Sequence, residues 1–384
     1  MNLTFVRWIA FAIGIVTVVG TTGSVLRTLM VPRARTSRLS VIVGRKIVAS
    51  FFRFVAARFK EYETKDQILA LSAPISLLAT LLAWIALYLI GYGLMLWPLI
   101  GTSLADALRE SGSSMFTLGI FATPRLGATI INYLAAVTGL VVVALQIGYL
   151  PTLYSAFNRR ETLVTLLQSR AGAPAWGPEI LARAQLVYLT KSLRELYADW
   201  EHWAADVAES HTNYPVLIWF RSPHALRSWV VALLAVMDSA ALYQSLAPEA
   251  APAEARLVIR MGFSCLRNIA DVMSISYDPD PFPDDPIQLT FDEYMDGIRR
   301  IQGIGFEMER TPEEAWPHFQ GWRVNYETTA YAVADIVSAP PGPWSGQRSR
   351  LAGITIEPQR PADRRAGDPE AKKQPKSQRF GWKV

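Results

Sequence analysis

Three long apolar runs fill the first 157 positions of the chain, and the pattern after them is mixed. The first run, Trp8 to Leu26, carries no charge and is long enough to cross a bilayer, which takes about 20 residues. The second covers Ile68 to Ile100, again without charge, and includes Pro74, Gly91, Gly93 and Pro98. It exceeds a minimal span, so tilt or an extramembrane first turn is expected. The third starts near Leu126, ends near Phe157 and carries Asn132, Gln146 and Pro151. The pattern predicts an all-α membrane protein with three transmembrane helices. A cleaved signal peptide competes for the first run, but the basic residues follow that run and do not precede it.

Between the second and third runs lies a polar, Gly-containing stretch, Thr102 to Pro124. Such backbone lies at the membrane surface, or within the bilayer where protein or water shields it. The letters fit a short descending helix, Leu104 to Met115, with Thr102 or Ser103 as its N-cap. Its C-terminal dipole end favours a cation. A non-helical return over Thr117 to Ala122 could then offer backbone carbonyls to an ion, with Gly119 free to adopt the dihedrals this needs. Asp106 and Glu110 are expected near the outer mouth, where they concentrate cations, with Arg109 opposing them. In the third run Gly139 is a candidate gate hinge or a close-packing position, and Pro151 is expected to kink the cytoplasmic end. The plain alternative is a loop joining two helices outside the membrane.

Ser114-Met115-Phe116-Thr117-Leu118-Gly119-Ile120-Phe121 resembles the filter region of the potassium-channel family, whose pattern is Thr-Val-Gly-Tyr-Gly. Thr117, Leu118 and Gly119 fall on its first three positions and Ile120 on the aromatic one. Phe121 stands where the family has its second glycine, and Ala122 where an acidic residue often follows. The likeness covers roughly residues 68 to 157 and rests more on layout than on letters. It implies an ion pathway lined by Thr117, Leu118, Gly119, Ile120 and Phe121, a monovalent cation as the permeant species (potassium first), and four copies around one axis.

Charge then sets the expected topology. Arg27, Arg33, Arg35, Arg38, Arg45, Lys46, Arg53, Arg58 and Lys60 follow the first run, with no acid until Glu61, and Asn158-Arg159-Arg160 follows the third. Positive charge stays on the cytoplasmic side, so the N-terminus is expected outside and the C-terminus inside a plasma membrane. Within the 32–66 segment Ile47, Val48, Phe51, Phe52, Val55 and Phe59 recur at helical spacing among basic residues. That pattern suits a helix lying on anionic lipid of the inner leaflet, or one packed on the soluble half.

The average composition, 51% hydrophobic and 18% charged, hides a split: residues 158 to 338 read as a soluble, helix-rich domain, and 339 to 384 as a disordered basic tail. Helices are expected over Pro178 to Glu209, Ala225 to Leu246, Pro252 to Ser274, Phe291 to Arg310 and Glu313 to Val337. Asp238 ends the apolar run Val230 to Val236 too early for a span, so that helix is read as buried core. The net charge of +5 sits mainly in the loop after the first run and in the tail, a pattern of topology and not of nucleic-acid binding. Gly303 and Gly305 are a lone Gly-x-Gly. His202 and Asp206, and Asp278, Asp280, Asp284 and Asp285, are read as ordinary surface groups. Cys265 alone allows no intrachain disulfide. No nucleophile–base pair can be nominated, so no enzyme activity and no cofactor is expected. The two readings carried forward are a cation channel subunit regulated by a cytoplasmic helical domain, and a non-conducting membrane-anchored scaffold.

Overall fold

Uncharged apolar backbone can satisfy its polar groups in lipid only by internal hydrogen bonding, and each of the three runs forms a helix. The computed structural model describes residues 3–31, 37–186 and 192–346, and among these every regular element is helical. Four helical segments are long and apolar enough to cross a membrane: Leu3–Leu29, Tyr62–Ile100, Leu126–Ala171 and Trp229–Leu246. The fold is therefore compatible with a multi-pass membrane protein. The first three leave most of their apolar surface uncovered, whereas the fourth is almost wholly enclosed by protein.

The chain forms two compact units, Met1–Arg159 with Glu209–Arg221, and Arg160–Ala208 with Ser222 onward. In the first, α1 (Leu3–Leu29) packs along α5 (Ser72–Ile100). Polar rungs fix their register. Trp84 Nε1 donates to Ser24 Oγ at 2.9 Å, the hydroxyls of Thr22 and Tyr88 lie 2.9 Å apart, and Arg7 donates to the carbonyls of Gly101 and Thr102. The basic segment between them forms α2 (Arg38–Val41), a π-helical stretch (Ile42–Val48), α3 (Ala49–Ala56) and α4 (Tyr62–Ala70). Val48, Phe52 and Ala56 are buried, and the segment packs on α5. Ile47, Phe51 and Phe54 are left exposed among exposed Arg45, Lys46 and Arg53. The basic amphipathic segment, expected either on anionic lipid or on the soluble half, thus groups with this unit. The π-helical stretch also shows that the segment is no single regular helix.

α7 (Leu126–Ala171) runs unbroken through Pro151. The basic residues expected to stop it at the cytoplasmic surface include one that is not solvated: Arg160 is fully buried, pairs with Glu161 at 2.7 Å and stacks over Trp229. In the second unit α10 (Trp229–Leu246) is apolar all round because it is surrounded, by α8 (Gly177–Leu186), α11 (Ala253–Met273), α13 (Pro312–Arg323) and α14 (Glu327–Ile336). Its one charge, Asp238, meets Arg323 Nη1 at 2.5 Å and accepts from Tyr326 at 2.8 Å. Arg323 also donates to Glu327, to Tyr331 and to the Trp344 carbonyl, among the rings of Phe319, Tyr331 and Trp344. A buried guanidinium is tolerated only when paired and hydrogen-bonded, and this one is both.

Helix limits differ from expectation where local chemistry intervenes. Over 178–209 the described residues are helical, as α8 and α9 (Ser192–Asn213), and residues 187–191, with Leu189 of the expected core face, lie outside the described ones. α12 (Phe291–Gln302) stops early because Gly305 turns the chain at φ +74°. The last expected helix is two, α13 and α14, separated at Val324–Tyr326. Residues 340–346 are packed, with Trp344 and Ser345 buried, so the expected tail begins later, and the rest of it lies outside the described residues.

Two outcomes test this unit. Asp238→Ala leaves the Arg323 charge short of a partner and should lower unfolding stability by about 3 kcal/mol, read by denaturant unfolding in mild detergent. Burial alone would raise the Glu179 carboxyl, but Arg300 and Arg183 outweigh it and hold it below its ordinary range. A depressed carboxylate stabilises the fold above its unfolded pKa, and that gain disappears as pH falls through its folded value. Melting temperature should therefore drop on acidification below about pH 4.5, and Glu179→Gln should flatten that drop.

A candidate ion-pathway loop

The short helix of the polar stretch forms over the expected residues. α6 spans Leu104–Met115, and Ser103 is its N-cap. The Ser103 hydroxyl accepts from the Asp106 N–H at 3.1 Å while Asp106 reaches back to the cap, a reciprocal arrangement that satisfies two otherwise orphaned donors. Asp106 is half-buried and sits 3.5 Å from Arg109. Its carboxyl is held below its ordinary range chiefly by the Ser103 hydrogen bond. It is thus a capping group that also pairs with Arg109.

Glu110 also departs from expectation. It is 4% exposed and its carboxylate points into the module. Oε1 accepts from the Thr123 N–H at 2.9 Å and from Asn132 Nδ2 at 2.7 Å, and Oε2 accepts from the Thr123 hydroxyl at 2.7 Å. One turn further on, Ser113 Oγ accepts from the N–H groups of Ile120 and Phe121, both at 3.0 Å. Residues three apart on a helix share a face, so Glu110 and Ser113 grip the returning chain at two successive points. Asn132 ties the same carboxylate to α7.

The returning chain, Phe116 to Ala122, is irregular and exposed throughout. Leu118 N–H bonds the Ser113 carbonyl at 2.8 Å, which turns the chain as α6 ends. Thr117 at φ +53° and Gly119 at φ +67° are both in the left-handed region. Glycine takes that conformation freely, while threonine is strained there. Phe121, at the family's second glycine, is not among the residues with positive φ. Of the two positions aligned with the pattern's glycines, 119 is left-handed and 121 is not. Thr117, Leu118, Gly119, Ile120 and Phe121 are brought together on one open strip, with Leu118 60% and Ile120 68% exposed.

Of the two readings of Gly139, hinge or close-packing position, the packing around it supports the second. A Cβ on Gly139 would lie 2.3 Å from the Met115 carbonyl oxygen and 2.8 Å from Met115 Cγ. Gly139 is required because the end of α6 passes directly over α7. Pro151 lies inside the unbroken α7. A further tie, Tyr92 OH to Thr138 Oγ1 at 2.7 Å, fixes α5 to α7 beside Gly139.

Sequence reasoning missed Ser113, Thr123 and Asn132 as a clamp. Its signals were present: an acid and a serine three apart on a short helix, and one asparagine in an otherwise apolar run. Among the described residues no group of His, Cys, Asp or Glu is arranged to hold a metal ion. No protein family, curated protein or solved structure matches this chain.

Two substitutions separate these roles. Gly139→Ala should cost about 1–3 kcal/mol through forced displacement of the Met115 backbone, whereas a hinge glycine in open space would accept alanine without loss; thermal unfolding decides. Glu110→Ala strands the Thr123 and Asn132 donors, should cost about 3 kcal/mol, and should speed hydrogen exchange at the Thr123 amide.

Proposed function

We propose that the chain is one subunit of a pore-loop cation channel, with the strip Thr117 to Phe121 as its ion pathway and α5, α6 and α7 as the surrounding module. The observation that carries this reading is the returning loop itself. Two side chains of α6 hold it rigidly from behind, and its other side is left open. A loop clamped on one side and bare on the other presents backbone carbonyls to whatever occupies the open side. In this reading that space is a central axis shared by four copies.

The uncovered face of α7 supports the same assembly. Leu126, Ile130, Tyr133, Val137, Leu140 and Ile147 are all exposed, and the first five are spaced alternately four and three apart, the spacing at which helices pair along a seam. On this reading the permeant ion is a monovalent cation, with potassium first. The N-terminus is outside and the C-terminus cytoplasmic, and the helical unit regulates opening. Exposed Phe51 and Phe54 beside Arg45, Lys46 and Arg53 suit the inner leaflet, where aromatic rings enter the headgroup layer and the cations meet anionic lipid. The competing reading, a non-conducting membrane-anchored scaffold, is favoured by the apolar character of Leu118, Ile120 and Phe121.

Cation flux into proteoliposomes decides between them. The parent should conduct above empty vesicles. Gly119→Val forces a β-branched residue into the left-handed region at a strain of about 1–3 kcal/mol, and should cut flux at least about tenfold while the protein stays monodisperse. Thr117→Val should alter flux as well. Parent flux equal to that of empty vesicles would sink the channel reading and leave the scaffold.

A further inference from the structure

One segment joins the membrane-type unit although the chain on both sides of it belongs to the helical unit. Residues 209–221 group with Met1–Arg159, while 160–208 and Ser222 onward form the other body. This segment comprises the last turn of α9 and a 3₁₀ helix, Pro215–Trp219. Its side chains are seated on the lower parts of α5 and α7. Leu217 and Phe220 are buried with Ala73, Tyr149, Leu153 and Ala156. Tyr214 stacks edge-on against Tyr149, and Phe220 meets Tyr154 and Phe157.

The segment ends in a polar latch. Arg221 Nε lies 2.5 Å from Asp66 Oδ1, and Arg221 Nη2 donates to Tyr62 OH at 2.7 Å. Both partners sit on α4, which leads into α5. Asp66 and Arg221 are about nine-tenths buried, so neither charge is easily left alone. Trp219 in turn receives the Arg45 guanidinium on its ring face. One short peptide thus grips α7 over residues 149–157, the start of α5, and the basic segment.

We infer that residues 214–221 are a coupling clasp, by which the helical unit controls α7 over residues 149–157 through the Arg221–Asp66 latch and the Phe220 seat. The inference rests on the channel reading. Its physical content is simple. A contact made in one conformation and not in the other biases the equilibrium between them. The clasp is chain-continuous with α9 on one side and with the segment leading to α10 on the other, so any force on those elements is delivered to it. Aromatic seats release as a unit, and a desolvated ion pair is strongly orientation-dependent, so the two together favour two discrete states over a continuum.

The test compares cation flux per folded protein for the parent, Arg221→Asp, Asp66→Arg, the double swap, and Phe220→Ala, all reconstituted as full-length chain. Each single variant should change flux at least about fivefold, the lower end of ordinary coupling between sites. A rise marks the clasped form as closed, and a fall marks it as open. The double swap should return flux toward the parent, because the pair is restored with reversed polarity. Hydrogen exchange over residues 149–157 should rise in the single variants and recover in the double. If the parent conducts but every variant conducts equally well, with only melting temperature lowered, the segment is a structural brace and the inference is overturned. If the parent does not conduct, the channel reading fails and takes this inference with it.

Discussion

A carboxylate buried among helices, with neutral donors as its described partners, is the constraint on which the loop module depends. Glu110 cannot be left bare in that setting, since an unpaired buried charge costs several kcal/mol. Its three partners, the Thr123 N–H, the Thr123 hydroxyl and the Asn132 amide, come from two places distant along the chain. Satisfying it therefore fixes the exit of the returning loop and the register of α7 at once. Ser113 fixes the middle of the same loop. The strain at Thr117 is held in place by these grips, as expected where surrounding structure over-determines a backbone conformation. Closest approach of α6 to α7 follows from the same geometry, and it explains why position 139 has no side chain.

Two different solutions to buried charge occur in the chain. In the helical unit Arg323 is enclosed with Asp238 and Glu327 and ringed by aromatic faces, so opposite charges meet directly. In the loop module the described partners of Glu110 are neutral donors. Dipolar solvation of an anion leaves the surrounding field negative, whereas a closed ion pair does not.

Much of the architecture was legible because it rests on local rules. Three uncharged runs read directly as helices. A cap at Thr102 or Ser103 followed from capping chemistry, and Met115 as the last residue of α6 from the Gly and Thr that surround it. The enclosed helix around Asp238 was legible from one acid in an apolar run. Glu110 was misread because an acid near a helix start looks solvated unless its distant partners are known, and Thr123 and Asn132 lie 13 and 22 positions away. Gly139 stayed open between two readings for the same reason: a glycine that admits a neighbour and one that bends a helix are the same letter, and the Met115 carbonyl beside it is visible only in the fold. The seat of Pro215–Trp219 was invisible in sequence, since a short apolar run announces burial but not what buries it.

The central claim is that the clamped loop faces an ion on an axis shared by four copies. A cryo-electron microscopy map of the reconstituted protein in a potassium salt tests it most directly. The account predicts four chains with residues 117–120 converging on the axis and ion density between their carbonyls. A map with a single chain, or with these loops turned to lipid or bulk water and no axial density, would contradict it.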